Sequence, residues 1–173
     1  MNALPVETPA RESATASVSK AWLRALELTA PIPRQRERVL PAVVDGLGKE
    51  LGERPALLSD RECLNYEQLA ARSRCYSRWA LERNLAKGEV VGLLMPNRPE
   101  YLAIWLGITR IGGVVALLNT NLTGPALAHC ISAAGAKHVI VSAELAGELD
   151  RAIKDRSDAP RVWVHGISGG IER

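Results

Sequence analysis

The residues able to carry chemistry are few, and most fail on spacing. His129 and Cys130 are adjacent, so on a helix their side chains diverge by about 100° and form no nucleophile–base pair. His138 flanks an apolar run and His165 ends one, and neither has an acidic partner at helical spacing, so no metal set forms. Gly107 to Gly112 matches the two glycines of a phosphate-binding loop, but Gly113 stands where the lysine belongs. This pair also falls at the end of a helical pattern, the wrong pole of the helix dipole for an anion. Gly46-Leu-Gly48 sits inside an amphipathic pattern without a third glycine, and Glu144, Glu148 and Asp150 read as a solvated helix face. Two loops remain, Met95–Pro99 and Asn119–Thr123, each following a strand-like run. Asn119 and Asn121 are the candidate substrate-side residues, and turn or capping roles account for them equally well.

The elements that place these loops are legible. Val90–Leu94, Val114–Leu118 and His138–Ser142 are short apolar runs whose starts are 24 residues apart. Helix-length segments separate them, which predicts an α/β fold of consecutive βαβ units on a parallel sheet covered on both faces. Asn97 is the expected N-cap of the helix after the first run, with Pro99 in its first turn and Glu100 at its third position, favourable to the dipole. Gly112-Gly113 stops that helix. Thr123 or Gly124 starts the next, with Pro125 in its first turn and Gly135 at its end. A helix over 143–156 and a strand Arg161–His165 extend the sheet, and Gly166 to Arg173 reads as an exit loop.

Upstream, Met1 to Ser17 is expected to be a disordered leader, rich in Ala, Ser, Thr, Pro and Glu. Val18–Leu28 predicts a helix capped by Ser19, and Gln35–Leu51 a second one. Pro55–Ser59 and Glu62–Leu64 form a hairpin around Asp60-Arg61. Asn65 to Gln68 is a capping box that opens a helix running to Asn84, with Leu69, Ser73, Tyr76 and Ala80 on one side.

Composition excludes several classes. The 173 residues are 47% hydrophobic and 24% charged, a globular balance. A net charge of +3 with no clustered basic stripe interleaved with aromatics argues against nucleic acid. Three scattered cysteines without CxxC spacing argue against a disulfide framework and for a reducing compartment. No secretory signal and no spanning segment is visible, so the expected location is cytoplasmic, with at most a peripheral membrane contact.

An ordered set of short motifs carries a family likeness. Leu64-Asn-Tyr-Glu-Gln-Leu69 resembles the Leu-Thr/Ser-Tyr-x-Glu-Leu motif that opens the AMP-forming adenylate-forming enzymes, with Gln68 in place of Glu. Asn97-Arg-Pro-Glu100, Trp105-Leu-Gly107, Gly112–Leu118, Asn119-Thr-Asn121 and Leu127-Ala-His-Cys130 follow in that superfamily's order. The combination most resembles the branch of fatty-acid transport proteins and very-long-chain acyl-CoA synthetases, over Leu40 to Ser142. The resemblance implies structural roles for Tyr66, Asn97, Arg98, Pro99, Glu100 and Gly107. It implies ATP, Mg²⁺ and CoA for the complete enzyme, which joins a fatty acid to CoA through an acyl-adenylate.

It also implies what is missing. The Ser/Thr/Gly-rich phosphate loop, the aromatic-Gly-x-Thr-Glu segment, the ribose-holding Thr-Gly-Asp and the catalytic lysine have no counterpart in this sequence. No catalytic, cofactor-binding or metal-ligating residue is therefore assigned. Residues 18–173 are expected to be an incomplete N-terminal AMP-binding domain, inactive alone. The alternatives are a subunit completed in trans by the remainder of a split synthetase or by self-association, and a non-catalytic binding or regulatory module that kept the βαβ core.

Overall fold

The computed structural model describes residues 17–166 and 171–172. The expected leader, apart from Ser17, lies outside the described residues. The chain divides into two compact units, up to Arg38 and from Val39 onward.

The first unit holds α1 (Val18–Thr29) and a 3₁₀ turn at Ile32–Arg34. The N-cap of α1 is Ser17, not Ser19, and no side chain caps it.

The second unit begins with α2 (Leu40–Glu50), five residues later than expected, because the arginine-rich lead-in forms turns and the helix starts only with Pro41 in its first turn. Strands β1 (Pro55–Leu58) and β2 (Cys63–Asn65) form the expected antiparallel hairpin. Asn65 then opens α3 (Tyr66–Glu82) with a complete capping box. Its Oδ1 accepts from the Gln68 amide at 2.7 Å, and Gln68 Oε1 accepts from the Asn65 amide at 3.0 Å.

Strands β3 (Val90–Leu94), β4 (Val114–Leu117), β5 (His138–Ser142) and β6 (Arg161–His165) alternate with α4 (Pro99–Arg110), α5 (Gly124–Ala133) and α6 (Ala146–Ile153). The helix expected over 143–156 is thus a 3₁₀ turn at Ala143–Leu145 followed by α6. The sheet order is β4-β3-β5-β6, all parallel, with a fifth strand β7 (Ile171–Glu172) beyond β6. The equal spacing of the apolar runs becomes equal register, since Val90 pairs with Val114 and Val91 with His138. The expected exit loop is corrected in part. Ile171–Glu172 is a short strand, β7, antiparallel to β6, while 167–170 lie outside the described residues.

Strand alternation sorts the core into two layers. Val91, Leu93, Met95 and Ile140 pack beneath α2, α3 and α4. Leu94, Val139 and Val141 pack with α5 and α6 on the opposite face. On the α3 side Trp163 of β6 meets Trp79 edge to face at 5.3 Å, and the Arg83 guanidinium lies 4.7 and 4.9 Å from the two rings. That contact ties the last parallel strand to α3.

Candidate functional site

In a doubly wound sheet the ligand crevice lies beyond the carboxyl ends of the strands. Here those ends are Leu94, Leu117, Ser142 and His165. The chain leaves β3 and enters α4 within four residues, which brings Glu100 to this edge. Its placement depends on a glycine. A Cβ on Gly107 would lie 2.5 Å from Tyr76 Cβ and 2.7 Å from the Ser73 carbonyl oxygen, so α4 crosses α3 at backbone contact there. Ser77 Oγ donates across that crossing to the Gly107 carbonyl at 3.0 Å. Glu100 lies seven residues before Gly107, two turns up the same face, and so it meets Arg72 and Tyr76 of α3.

The result is a polar cluster, buried at Tyr76, Glu100 and His165 and half-exposed at Arg72 and Glu62. Arg72 Nη1 donates to Glu100 Oε2 at 2.7 Å and also to Glu62 Oε1 at 2.7 Å. The Tyr76 hydroxyl donates to Glu100 Oε1 and lies 3.1 Å from His165 Nε2. With its proton on the carboxylate, Tyr76 offers His165 only its oxygen. Nε2 is then the protonated nitrogen of His165, and Nδ1, which is buried, has no partner among the described residues. His165 Nε2 is 3.8 Å from Glu100 Oε1, beyond hydrogen-bond reach, so it acts on the carboxylate through the tyrosine.

Burial alone would raise the Glu100 carboxyl, but the neighbouring His165, Tyr76 and Arg72 outweigh it and hold the group at about 2. Burial, with the Glu100 charge beside it, pushes the Tyr76 phenol far up. The carboxylate is therefore a poor base, and the phenol stays protonated. Neither is poised for proton transfer near neutrality. The cluster is a clamp that joins α3, α4 and β6, and it lines a hollow of about 450 Å³ with Cys75, Trp79 and Ile171.

Two further features share the carboxyl edge. The strand order reverses direction between β3 and β5, the switch point of this topology. There Arg98, after β3, is ion-paired with Glu144, after β5. Between β3 and β4 a hollow of about 380 Å³ is lined by Asn97, Tyr101, Asn119 and Thr120.

The residues singled out in the sequence fall in different places. Arg98, not Asn97, is the N-cap of α4, and it caps with its backbone alone. Pro99 is then the first helical residue and Glu100 the second, not the third. The reason is local: Arg98 has the extended backbone that a residue before proline prefers, so the helix cannot include it. Asn97 is left exposed in the loop, and Glu100 is a cluster residue more than a cap. Asn119 lines the β3–β4 hollow, but its Oδ1 accepts the Asn121 amide at 2.9 Å in a turn. Asn121 is exposed and does not line that hollow. Tyr66 is half-buried at the start of α3, its amide donating to the Arg54 carbonyl. Arg72, Tyr76 and His165 were missed as a group because 89 residues separate Tyr76 from His165. The one available signal was a tyrosine on a buried helix stripe, whose hydroxyl must find a partner.

These residues do not by themselves fit ATP, Mg²⁺ or CoA. The loops after β3, β4 and β5 carry no glycine cradle of free amides, and among the described residues no three His, Cys, Asp or Glu side chains gather as metal ligands.

The sequence profile of the AMP-binding enzymes matches residues 47–168. Human long-chain fatty acid transport protein 6 is 32% identical over 116 residues, covering 66% of this chain and 19% of that protein. The long-chain-fatty-acid–CoA ligase of Salmonella typhimurium is 27% identical over 143 residues, covering 81% of this chain and 26% of the ligase. Among solved structures, the inhibitor-bound N-terminal domain of FACL13 from Mycobacterium tuberculosis superposes with a TM-score of 0.67 at 26% identity, covering 73% of this chain and 33% of that one. The chain thus spans about a fifth of the length of the fatty acid transport proteins it matches. A profile match over more than half of the residues, on a fold shared with adenylate-forming ligases, makes this chain a member of the AMP-binding enzyme family.

Proposed function

We propose that this chain supplies the scaffold part of an ATP-dependent long-chain or very-long-chain fatty acyl-CoA synthetase, and that it does not activate fatty acids alone. The complete reaction joins acid, ATP and CoA into acyl-CoA, AMP and pyrophosphate. One observation carries the reading. Adenylation needs cations free to meet the charge that develops on the α-phosphate, and among the described residues the arginines at the crevice, Arg72 and Arg98, are already bound to carboxylates. Arg72 holds Glu62 and Glu100, and Arg98 holds Glu144. ATP, Mg²⁺ and CoA then belong to the completed enzyme, which works in the cytoplasm with at most peripheral contact with a membrane.

A partner is favoured by the sheet edge. β4 is one of the two edge strands, and Val114 and Leu117 on it are 48% and 45% exposed, an apolar edge open to the remainder of a synthetase or to a second copy. The test is ATP–pyrophosphate exchange with a panel of fatty acids. No exchange above a boiled control is expected from the chain alone, and exchange is expected once a polypeptide carrying the missing motifs is added. Exchange by the chain alone refutes the scaffold reading.

A further inference from the structure

α1 is an amphipathic helix whose apolar side chains are exposed. None of its residues is buried, and Val18, Trp22, Leu23 and Leu28 are 86%, 66%, 58% and 61% exposed. At 100° per residue its charged side chains Lys20, Arg24 and Glu27 gather within about 60°, while the apolar side chains sweep about 220° from Leu28 through Val18 and Trp22 to Leu23. Within that sweep only Ser19 and Thr29 are polar, and the Thr29 hydroxyl is turned back onto the Ala25 carbonyl at 2.8 Å. A helix seated on a protein core or on a second helix needs an apolar stripe of roughly 100°. A sector twice as wide suits a medium that surrounds the helix on three sides.

Charge names the medium. From Ser17 to Arg38 five basic residues (Lys20, Arg24, Arg34, Arg36 and Arg38) stand against Glu27 and Glu37, a net charge equal to the +3 of the whole chain. The three arginines follow the helix directly and are exposed, and none of the five is ion-paired to a described residue. An apolar face bearing a tryptophan, joined to a basic turn, supplies the two signals that interfacial binding requires.

We propose that α1 and the arginine turn behind it form an interfacial anchor that lies in the plane of an anionic lipid bilayer. The inference deepens the peripheral location proposed above and is independent of the synthetase reading. The helix is about 18 Å long, at 1.5 Å per residue, and lies along the surface without crossing. Trp22, Leu26 and Val18 enter the acyl boundary. Lys20, Arg24 and the three arginines meet lipid phosphates.

The test is flotation of the full chain with vesicles of phosphatidylcholine, with or without phosphatidylglycerol, in the absence of ATP and acid. Binding is expected only with phosphatidylglycerol and should fall as salt is raised. Trp22→Glu with Leu26→Glu should abolish it. Arg34→Gln, Arg36→Gln and Arg38→Gln together should weaken it by about 100-fold, at roughly fivefold per charge near the surface. Because α1 buries nothing, far-UV circular dichroism of the variants should match the parent. Equal binding by parent and variants overturns the assignment to α1 and leaves the peripheral location standing. No binding to anionic vesicles overturns the anchor, as does a dimer in size-exclusion chromatography that the same substitutions dissolve while vesicles are ignored.

Discussion

Replacing Glu100 with Gln tests the clamp reading through pH. The side chain is 11% exposed and its two oxygens serve Arg72 and Tyr76. Its carboxyl is held at about 2 against an ordinary 4.5. A depressed carboxyl pKa stabilises the fold above the unfolded value and loses that contribution as pH falls through the folded value, here between about pH 5 and pH 2. The depression corresponds to at most about 3 kcal/mol at neutral pH, and exposure of Arg72 brings the expected value to about 2 kcal/mol. Gln keeps the size and an acceptor but removes the charge and turns an amide donor toward one of the two groups, the guanidinium or the Tyr76 hydroxyl, that now donate to the carboxylate. The variant should therefore lose about 2 kcal/mol at pH 7, and the gap to the parent should close as pH is lowered from 5 toward 2. Urea unfolding followed by tryptophan fluorescence, at constant ionic strength and several pH values, measures both. A gap that is the same at pH 3 as at pH 7, or less than about 0.5 kcal/mol throughout, would refute the charged clamp and leave only shape.

Other substitutions test the parts that build the site. Gly107→Ala places a methyl into Tyr76 and the Ser73 carbonyl, and should cost about 1–3 kcal/mol by overpacking in the same urea assay. Asn65→Ala breaks the capping box and should cost about 1 kcal/mol, with Asn65→Asp restoring most of it at neutral pH. Asp45 accepts from Arg110 and Arg74, which together outweigh burial and lower its carboxyl; Asp45→Asn should cost about 1 kcal/mol at pH 7 and less below pH 4. Arg83→Ala removes the guanidinium that lies against both Trp79 and Trp163; the folded state should change its fluorescence and lose about 1 kcal/mol.

Most of the scaffold could be read from pattern, because its causes are local. Three apolar runs at equal spacing became three strands in register, and the Asn65–Gln68 box and the Pro99 and Pro125 helix starts are decided within one turn of chain. The errors were also local in origin. The arginine-rich stretch before α2 lacks the apolar periodicity that would hold it in a helix, and Arg98 was pushed out of α4 by the proline after it. The clamp was not legible because its cause is a crossing. Gly107 reads as a helix residue of no consequence until α3 is laid against α4. Only then do Arg72, Tyr76 and Glu100 share a turn, and His165 reaches them from the far strand.

That crossing also explains why a capping account of Glu100 looked sufficient. A glutamate in the first turn of a helix needs no further reason, and the same residue, seven positions before a glycine that admits a neighbouring helix, acquires one. The dipole of α4 and the Arg72 guanidinium act on Glu100 with the same sign, so both keep it ionised, but only the second is directional. Lys in place of Arg72 would preserve the charge but lose the planar guanidinium whose Nη1 reaches Glu62 and Glu100 together. Arg72→Lys should thus raise the Glu100 carboxyl while α4 stays helical, a separation that carboxyl titration by NMR reads directly. If Lys left that titration unchanged, the Arg72 contact would not be what lowers the carboxyl, and Tyr76 with His165 behind it would carry the depression.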